Sequence, residues 1–281
     1  MTEKQNEHNM LMQFIEQDCF VDSKGNVEYP PVALSFGEKV VKSNKVEGDL
    51  IVPIALGTYG NLSVVTAPPK TKKTFFISLL ASAYLSGSNL FSGDIKGHRG
   101  TEGQLVHIDT EQGLWHCQKV FERVHKMDSK IDSKIYHTFG LRSIDYKMRI
   151  EFIDYYLKEK IKTPSLIIID GIADLCSDAN NISESNHLVQ KLMEWSSKYK
   201  CHIINVIHQN FGSSKLGTGH LGSFLEKKAE TVIQLEANTV NKDWVTVKCG
   251  RSRGYSFEKF SFEVNEFGLP KIVGNLYDPL K

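Results

Sequence analysis

The sequence predicts an α/β protein whose core is a mainly parallel β-sheet flanked by helices. From about residue 50 onward, apolar strand-like segments alternate with amphipathic helix-like segments, the order expected when helices connect parallel strands. The strand-like segments are nearly continuous aliphatic or β-branched runs, as strands buried on both faces are. Toward the carboxyl end, polar and apolar residues alternate instead, which is typical of antiparallel strands.

The predicted elements follow in chain order. Core strands are predicted at 62–66, 104–109, 165–169 and 202–207, and helices at about 74–86, 112–126, 143–161 and 184–199. Antiparallel strands are predicted at 231–235, 244–248 and 257–264. We expect mobile loops at 88–103 and 210–223, and an N-terminal arm with one short helix over residues 1–49, leaving residues 50–281 as the main domain.

Composition limits the kinds of partner this chain can have. Its 281 residues are 41% hydrophobic, enough for a full core. The 34 basic and 33 acidic residues give a net charge of +1, so no global field points to nucleic acid or membrane. The five cysteines lack C-x-x-C or zinc-ligand spacing, which favours a reduced, cytoplasmic protein. The longest apolar stretch, 75–85, is too short to cross a bilayer, so we expect no membrane partner.

The segment after the first core strand has the outline of a phosphate-binding loop. Residues 67–74 are Ala-Pro-Pro-Lys-Thr-Lys-Lys-Thr. The pattern G-x-x-x-x-G-K-[ST] supplies backbone N–H groups, a phosphate-binding lysine and a hydroxyl for Mg²⁺. Lys73 and Thr74 retain the two side chains, whereas Ala67 and Lys72 replace the first and last glycines. The alternative is an ordinary strand–turn–helix connection with a lysine-rich turn. The predicted nucleotide contacts are Ala67, Pro68, Pro69, Lys70, Thr71, Lys72, Lys73, Thr74 and Phe75.

Carboxylates follow two other predicted strands. Asp170 ends a buried aliphatic run, where an aspartate binds the Mg²⁺ shell opposite the loop hydroxyl. Glu111 lies just past another strand end, where it is placed to polarise a water for attack on a γ-phosphate. The alternative is that Asp109 or Glu111 only caps the following helix at its positive end.

Two further segments carry candidate phosphate contacts. The last core strand leads into His208 and Gln209, which can hydrogen-bond a terminal phosphate; the alternative is a solvated strand end. Arg251 and Arg253 lie between glycines after a predicted strand, and guanidinium groups suit bidentate contacts with phosphate. They can serve a neighbouring subunit's site or a DNA backbone, or form a solvated basic hairpin.

In this order, the motifs over roughly residues 50–265 resemble those of a RecA-like ATPase of the hexameric helicase kind, DnaB-type or plasmid RepA-type. The segments 109–112 and 170–172 are also similar to ATPases of Bacteroides-type mobilizable elements. The resemblance implies a RecA-like P-loop NTPase fold, ATP and Mg²⁺ as cofactors, and a homo-oligomer, a hexameric ring, acting on single-stranded DNA. Basic loops such as Lys215 would then line its channel.

The resemblance also implies a role for each matching residue. Lys73 neutralises phosphate charge, and Thr74 with Asp170 holds Mg²⁺. Glu111 activates water, His208 or Gln209 senses the γ-phosphate, and Arg251 and Arg253 complete the adjacent subunit's site.

The loop departs from the related pattern G-P-P-G-x-G-K-T, because Ala67, Lys70 and Lys72 replace its three glycines. Pro68 and Pro69 offer no N–H group, so the cradle must come from residues 70–74. A lysine forced to positive φ would be strained by about 1 kcal/mol or more.

Three functions therefore remain open: an ATP-hydrolysing motor in replication or mobilization, a non-hydrolysing regulatory or scaffold module, and a recombinase-like or clock-like relative forming filaments or double rings.

Overall fold

The computed structural model describes residues 3–42, 48–209 and 217–273. The chain divides into two compact units, Met1–Pro30 and Pro31–Lys281. The first unit contains one helix, α1 (Glu3–Cys19), which carries exposed apolar side chains, among them Met10 and Phe14. A domain boundary at residue 49 stays a prediction.

The second unit begins with three strands, alternates strands and helices in its middle part, and ends with four strands. Its strands are β1 (Val32–Lys42), β2 (Asp49–Thr58), β3 (Leu62–Ala67), β4 (Ile95–Gly97), β5 (Gln104–Asp109), β6 (Tyr136–Gly140), β7 (Pro164–Asp170), β8 (His202–His208), β9 (Thr231–Ala237), β10 (Val245–Ser252), β11 (Phe260–Val264) and β12 (Pro270–Val273). Its helices are α2 (Lys73–Ser86), α3 (Leu114–Met127), α4 (Tyr146–Glu159), α5 (Ile182–Lys198) and α6 (Gly219–Lys228), with short 3₁₀ turns at Ser133–Ile135 and Ile172–Leu175.

In the described part of the chain, one large sheet has the strand order β12-β11-β10-β9-β3-β8-β7-β5-β6. The strands from β9 to β6 in this order are parallel, and β10, β11 and β12 are antiparallel. A smaller antiparallel sheet has the order β2-β1-β4. The predicted fold class, a mainly parallel sheet with antiparallel strands near the carboxyl end, is confirmed.

The large sheet is buried on both faces, which explains its aliphatic strands. In β7, Leu166 and Ile168 pack on the face that α2 and α3 cover, and Ile167 and Ile169 pack on the face covered by α4, α5 and α6. All four side chains are fully buried. Successive residues of a strand point to opposite faces, so an unbroken apolar run supplies both cores.

Two segments predicted as mobile loops contain regular structure in part, so the predictions were wrong at residues 95–97 and 219–223. Within 88–103, Ile95 is fully buried and pairs with Phe36 of β1. Within 210–223, α6 begins at Gly219 and buries Leu221. Residues 210–216, including Lys215, lie outside the described residues. Across the described ranges, no helix has the length and apolarity needed to span a membrane.

Candidate functional site

The predicted site residues follow strands that end at one edge of the large sheet. Ala67 of β3 lies beside His208 of β8, and Asp170 of β7 lies beside Val206 of β8 and Asp109 of β5. In an open α/β sheet, the carboxyl ends of the strands form the usual ligand-binding crevice. We call this the carboxyl edge of the sheet.

The loop of residues 68–72 keeps the backbone of a glycine loop although it contains none. Lys70 has φ = 64° and Lys72 has φ = 56°, both in the left-handed region. The Thr71 hydroxyl donates to the Pro68 carbonyl over 2.6 Å, which fastens the loop internally. A left-handed conformation costs a non-glycine residue on the order of 1 kcal/mol. The strain expected for lysines at these positions is therefore present.

The loop leads directly into α2, which begins at Lys73. The amides of Phe75 and Phe76 both donate to the Lys72 carbonyl, closing the first turn. The first turn of a helix presents N–H groups without intrahelical acceptors and the positive end of the helix dipole. This end of α2 is therefore suited to an anion such as phosphate.

Lys73, His208 and Glu111 form a hydrogen-bonded chain beside the loop. Lys73 is 8% exposed, and its Nζ lies 3.0 Å from His208 Nδ1. His208 Nε2 lies 3.2 Å from Glu111 Oε1. Because an ammonium group only donates, Nδ1 must accept and Nε2–H must donate to the carboxylate. His208 therefore connects the lysine to the glutamate.

Burial and neighbouring charges shift the pKa values of Lys73 and Glu111, the two ends of this hydrogen-bonded series. Burial lowers the pKa of Lys73, although the Glu111 and Asp170 carboxylates oppose the shift. The hydrogen bond from His208 lowers the pKa of Glu111, and the Lys73 charge lowers it further. Glu111 is therefore a carboxylate at neutral pH.

Asp170 has the features of a cation ligand. It is 3% exposed, and its Oδ2 has no hydrogen-bond partner among the described residues. Burial raises its pKa to about 7, and Asp109 and Glu111 contribute, while Lys73 and a hydrogen bond with the Thr74 side chain oppose the shift. A buried oxygen without a donor, next to a hydroxyl, fits Mg²⁺, which takes oxygen ligands.

This fit does not depend on a larger cluster of ligands. No group of three or more His, Cys, Asp or Glu in the described ranges is arranged to hold a metal ion. Mg²⁺ at phosphate sites is usually bound by one or two protein oxygens, with substrate phosphates and water as its other ligands. Thr74 and Asp170 meet that requirement.

Asp109 holds the turn after β5 and does not cap a helix, because α3 begins at Leu114 after Gly113. Its Oδ1 accepts from the amides of Glu111 and Gln112 over 3.0 and 2.8 Å, and its Oδ2 accepts from Gln112 Nε2 over 2.7 Å. The Glu111 side chain instead contacts His208. Neither side chain caps the helix: Asp109 holds the turn, and a role for Glu111 in activating water stays a prediction.

Comparison with known proteins supports the fold and identifies the family. Residues 56–213, more than half of the chain, match the family model described as AAA domain. This chain belongs to the AAA domain family. A crystal structure titled RadB recombinase superposes with a TM-score of 0.53 at 16% sequence identity, covering 77% of this chain and 92% of that one. The expected RecA-like fold is confirmed. No curated protein matches the sequence.

The structure of this AAA domain separates two predicted residues from the rest. Arg251 pairs with Val232, which pairs with Val64 near the start of β3. Arg253 donates from Nη2 to the Lys228 carbonyl over 3.2 Å. Both arginines are exposed and lie toward the opposite, amino edge of the sheet. They are not part of this chain's own site, and a role in a neighbour's site stays a prediction.

Gln209 is positioned at the carboxyl edge by its backbone. Its amide donates to the Ala67 carbonyl over 3.0 Å, and it forms a β-bridge with Gly217. A role in sensing phosphate stays a prediction for Gln209, as it does for His208.

Gly171 is a site residue that the sequence-based predictions do not include. It has φ = 99°, and a Cβ there would meet the Thr110 hydroxyl and lie 2.7 Å from Glu111 Cγ. Glu111 therefore packs directly over Gly171. A glycine immediately after the strand-ending Asp170 is a signal that could have revealed this contact.

Arg123 is a second residue that was missed. Its guanidinium carbon lies 3.9 Å from the centre of the Phe75 ring, and its Nη1 donates to Ser78 Oγ over 3.0 Å. Burial lowers the pKa of Arg123 to about 10. Arg123 thus orients Phe75, a predicted nucleotide contact. A single arginine in the middle of a helix gives no sequence signal of this role.

Proposed function

We propose that this AAA domain binds ATP with Mg²⁺ at the carboxyl edge of the sheet and hydrolyses the nucleotide. The observation that carries this proposal is the chain Lys73–His208–Glu111, placed beside the unpartnered oxygen of Asp170. The helix end, the lysine, the hydroxyl–carboxylate pair and the ionised glutamate are the groups that phosphoryl transfer to water requires. Membership of the AAA domain family supports the same function.

Each side chain has one task in this mechanism. The amides at the start of α2 and the Lys73 ammonium bind the phosphates, and Thr74 with Asp170 holds Mg²⁺. When bound, Mg²⁺ neutralises negative charge on the phosphate oxygens. Glu111 accepts a proton from the attacking water. At the same time the water oxygen bonds to the γ-phosphorus, and the bond between the γ-phosphorus and the β–γ bridging oxygen breaks.

His208 links recognition to hydrolysis in this proposal. Without phosphate, Lys73 donates to His208. A γ-phosphate is a stronger acceptor for the ammonium because the hydrogen bond is then between opposite charges. Once Lys73 turns to phosphate, Nδ1 of His208 loses its donor, and the position of Glu111 responds through Nε2. His208 would thereby report an occupied site.

The wider role that we propose is that of a helicase-like motor on single-stranded DNA, built as a hexameric ring, in replication or mobilization of a plasmid or mobile element. The exposed Arg251 and Arg253 support assembly, since at the amino edge they lie away from this chain's own site and are open to another copy. The RadB structure is described as a recombinase, which suggests DNA as the partner here too.

The alternative function is a nucleotide-binding regulatory or scaffold module without significant hydrolysis. The strained lysines at positions 70 and 72 favour it, because their side chains crowd a loop that normally approaches phosphate closely. The ionised Glu111, which such a module would not need, favours hydrolysis.

The test combines binding and turnover. A fluorescent ATP analogue with Mg²⁺ would be titrated into wild type, Lys73→Ala and Glu111→Gln, and ATPase rates measured with and without single-stranded DNA. We expect binding to be lost in Lys73→Ala and retained in Glu111→Gln, whose turnover should fall about a hundredfold or more. Wild-type binding without turnover would establish the regulatory module. No wild-type binding would refute both functions.

A further inference from the structure

The turn between β9 and β10 lies against the loop that precedes α2. Lys72 Nζ donates to the backbone carbonyl of Asp243 over 2.8 Å, joining residues 171 positions apart in the chain. Lys72 holds this contact from a left-handed backbone, φ = 56°, that glycine would adopt without strain. A strained residue that reaches across to another element points to a function for its side chain.

The turn itself, residues 238–244, is preformed. Asn238 Oδ1 accepts from the amides of Val240 and Asn241, both over 2.9 Å, and the Asn238 amide donates to the Trp244 carbonyl over 3.1 Å. Trp244 Nε1 donates to Glu263 Oε2 of β11 over 3.0 Å. Lys72 therefore connects two ordered segments.

The strand order sets the direction in which a bound nucleotide extends. Three strands, β8, β7 and β5, lie on one side of β3. At or just beyond their ends they carry His208, Asp170 and Glu111, respectively. On the other side is β9. If the γ-phosphate lies among these side chains, the α-phosphate and the nucleoside must extend from the loop toward β9 and its turn.

We propose that the β9–β10 turn is a further part of the nucleotide site, in contact with the nucleoside end of the triphosphate. Lys72 is a positioning residue that holds the turn there through the Asp243 carbonyl. Val240, 86% exposed at the tip of the turn, supplies an apolar surface for a base. This inference rests on the proposed nucleotide binding, and it assigns the site to nucleoside triphosphates rather than to polyphosphate alone.

The experiment compares two ligands that differ only in the nucleoside. Dissociation constants for ATP and for inorganic tripolyphosphate, each with Mg²⁺, would be measured by calorimetry for wild type, Lys72→Met and Lys70→Met. Lys70 is the matched control, an exposed lysine of the same loop with the same left-handed backbone. We expect Lys72→Met to weaken ATP about tenfold and tripolyphosphate less than about twofold, because only the nucleoside contact is lost. Lys70→Met should affect both ligands equally.

Photolabelling gives an independent readout. An azido-ATP should label residues 238–244 in wild type and label them less in Lys72→Met. An equal loss of affinity for ATP and for tripolyphosphate in Lys72→Met would overturn the inference, since Lys72 would then bind phosphate directly. No loss of either ligand, or labelling confined to other segments, would overturn it too. If the wild type binds tripolyphosphate as tightly as ATP, this inference alone is refuted. If it binds neither ligand, the proposed function is refuted as well.

Discussion

Replacing Asp170 with asparagine should stabilise the ligand-free protein at neutral and alkaline pH. Burial and neighbouring carboxylates raise the pKa of Asp170 from 3.8 to about 7. Because the folded pKa is the higher one, the folded state binds this proton more tightly than the unfolded state. The Asp170 contribution to stability therefore falls as pH rises from about 4 to about 7 and is constant above.

The size of the effect follows from the shift. About three pH units at 1.36 kcal/mol each correspond to roughly 4 kcal/mol of destabilisation above pH 7 and to about 1 to 2 kcal/mol at pH 5. The amide of the substituted asparagine carries no charge, but placing it in this site should cost about 1 kcal/mol through an imperfect hydrogen bond. The stability advantage of Asp170→Asn should therefore grow by roughly 2–3 kcal/mol between pH 5 and pH 8.

Urea unfolding at a series of pH values would measure this advantage. Asp178→Asn, at an exposed aspartate beyond the same strand, is the control and should show no such growth. The same Asp170→Asn protein should lose Mg²⁺-dependent nucleotide binding. An advantage independent of pH, or a variant less stable than wild type at pH 8, would refute the reasoning.

Three other changes test separate features of the site. Gly171→Ala should lower the free energy of unfolding in urea by about 2–4 kcal/mol, since the new Cβ would meet Thr110 and Glu111. The control Gly268→Ala, at φ = 71° with open space around it, should lose only about 1 kcal/mol to backbone strain. Equal losses in the two variants would contradict the packing of Glu111 over Gly171. Lys70→Gly should leave unfolding unchanged or gain up to about 1 kcal/mol, and a clear loss would argue against a strained loop. His208→Ala removes the hydrogen bond that lowers the pKa of Glu111. The acid limb of the kcat–pH profile should therefore move to higher pH, and kcat should fall about tenfold. An acid limb that does not move would argue against the link between His208 and Glu111.

The core strands were predictable because burial on both faces leaves a distinctive run of residues. Segments 104–109 and 202–207 were predicted as strands and correspond to Gln104–Asp109 and His202–His208. The edge strand Tyr136–Gly140 was missed because its side chains are mostly half-buried and of mixed polarity. Its pairing with β5, not its own composition, makes it a strand.

The candidate site was predictable only where strand ends carry it. Asp170 and His208 end strands of one parallel sheet, so topology alone brings them to the same edge. The contacts of Arg123 with Phe75 and of Lys72 with Asp243 depend on how distant segments pack. No local spacing encodes such contacts, so the sequence could not reveal them.

The lysines of the loop also make this site chemically reactive in a way that glycines cannot. Three primary amines, those of Lys70, Lys72 and Lys73, lie within four consecutive residues. Burial lowers the pKa of Lys73, which increases its nucleophilic, unprotonated fraction, while Lys70 is exposed to reagents. Acylation of any of the three would replace an amine that can carry a positive charge with a neutral amide in or next to the loop. The glycines that Lys70 and Lys72 replace in the related pattern offer no side-chain amine at which this can happen.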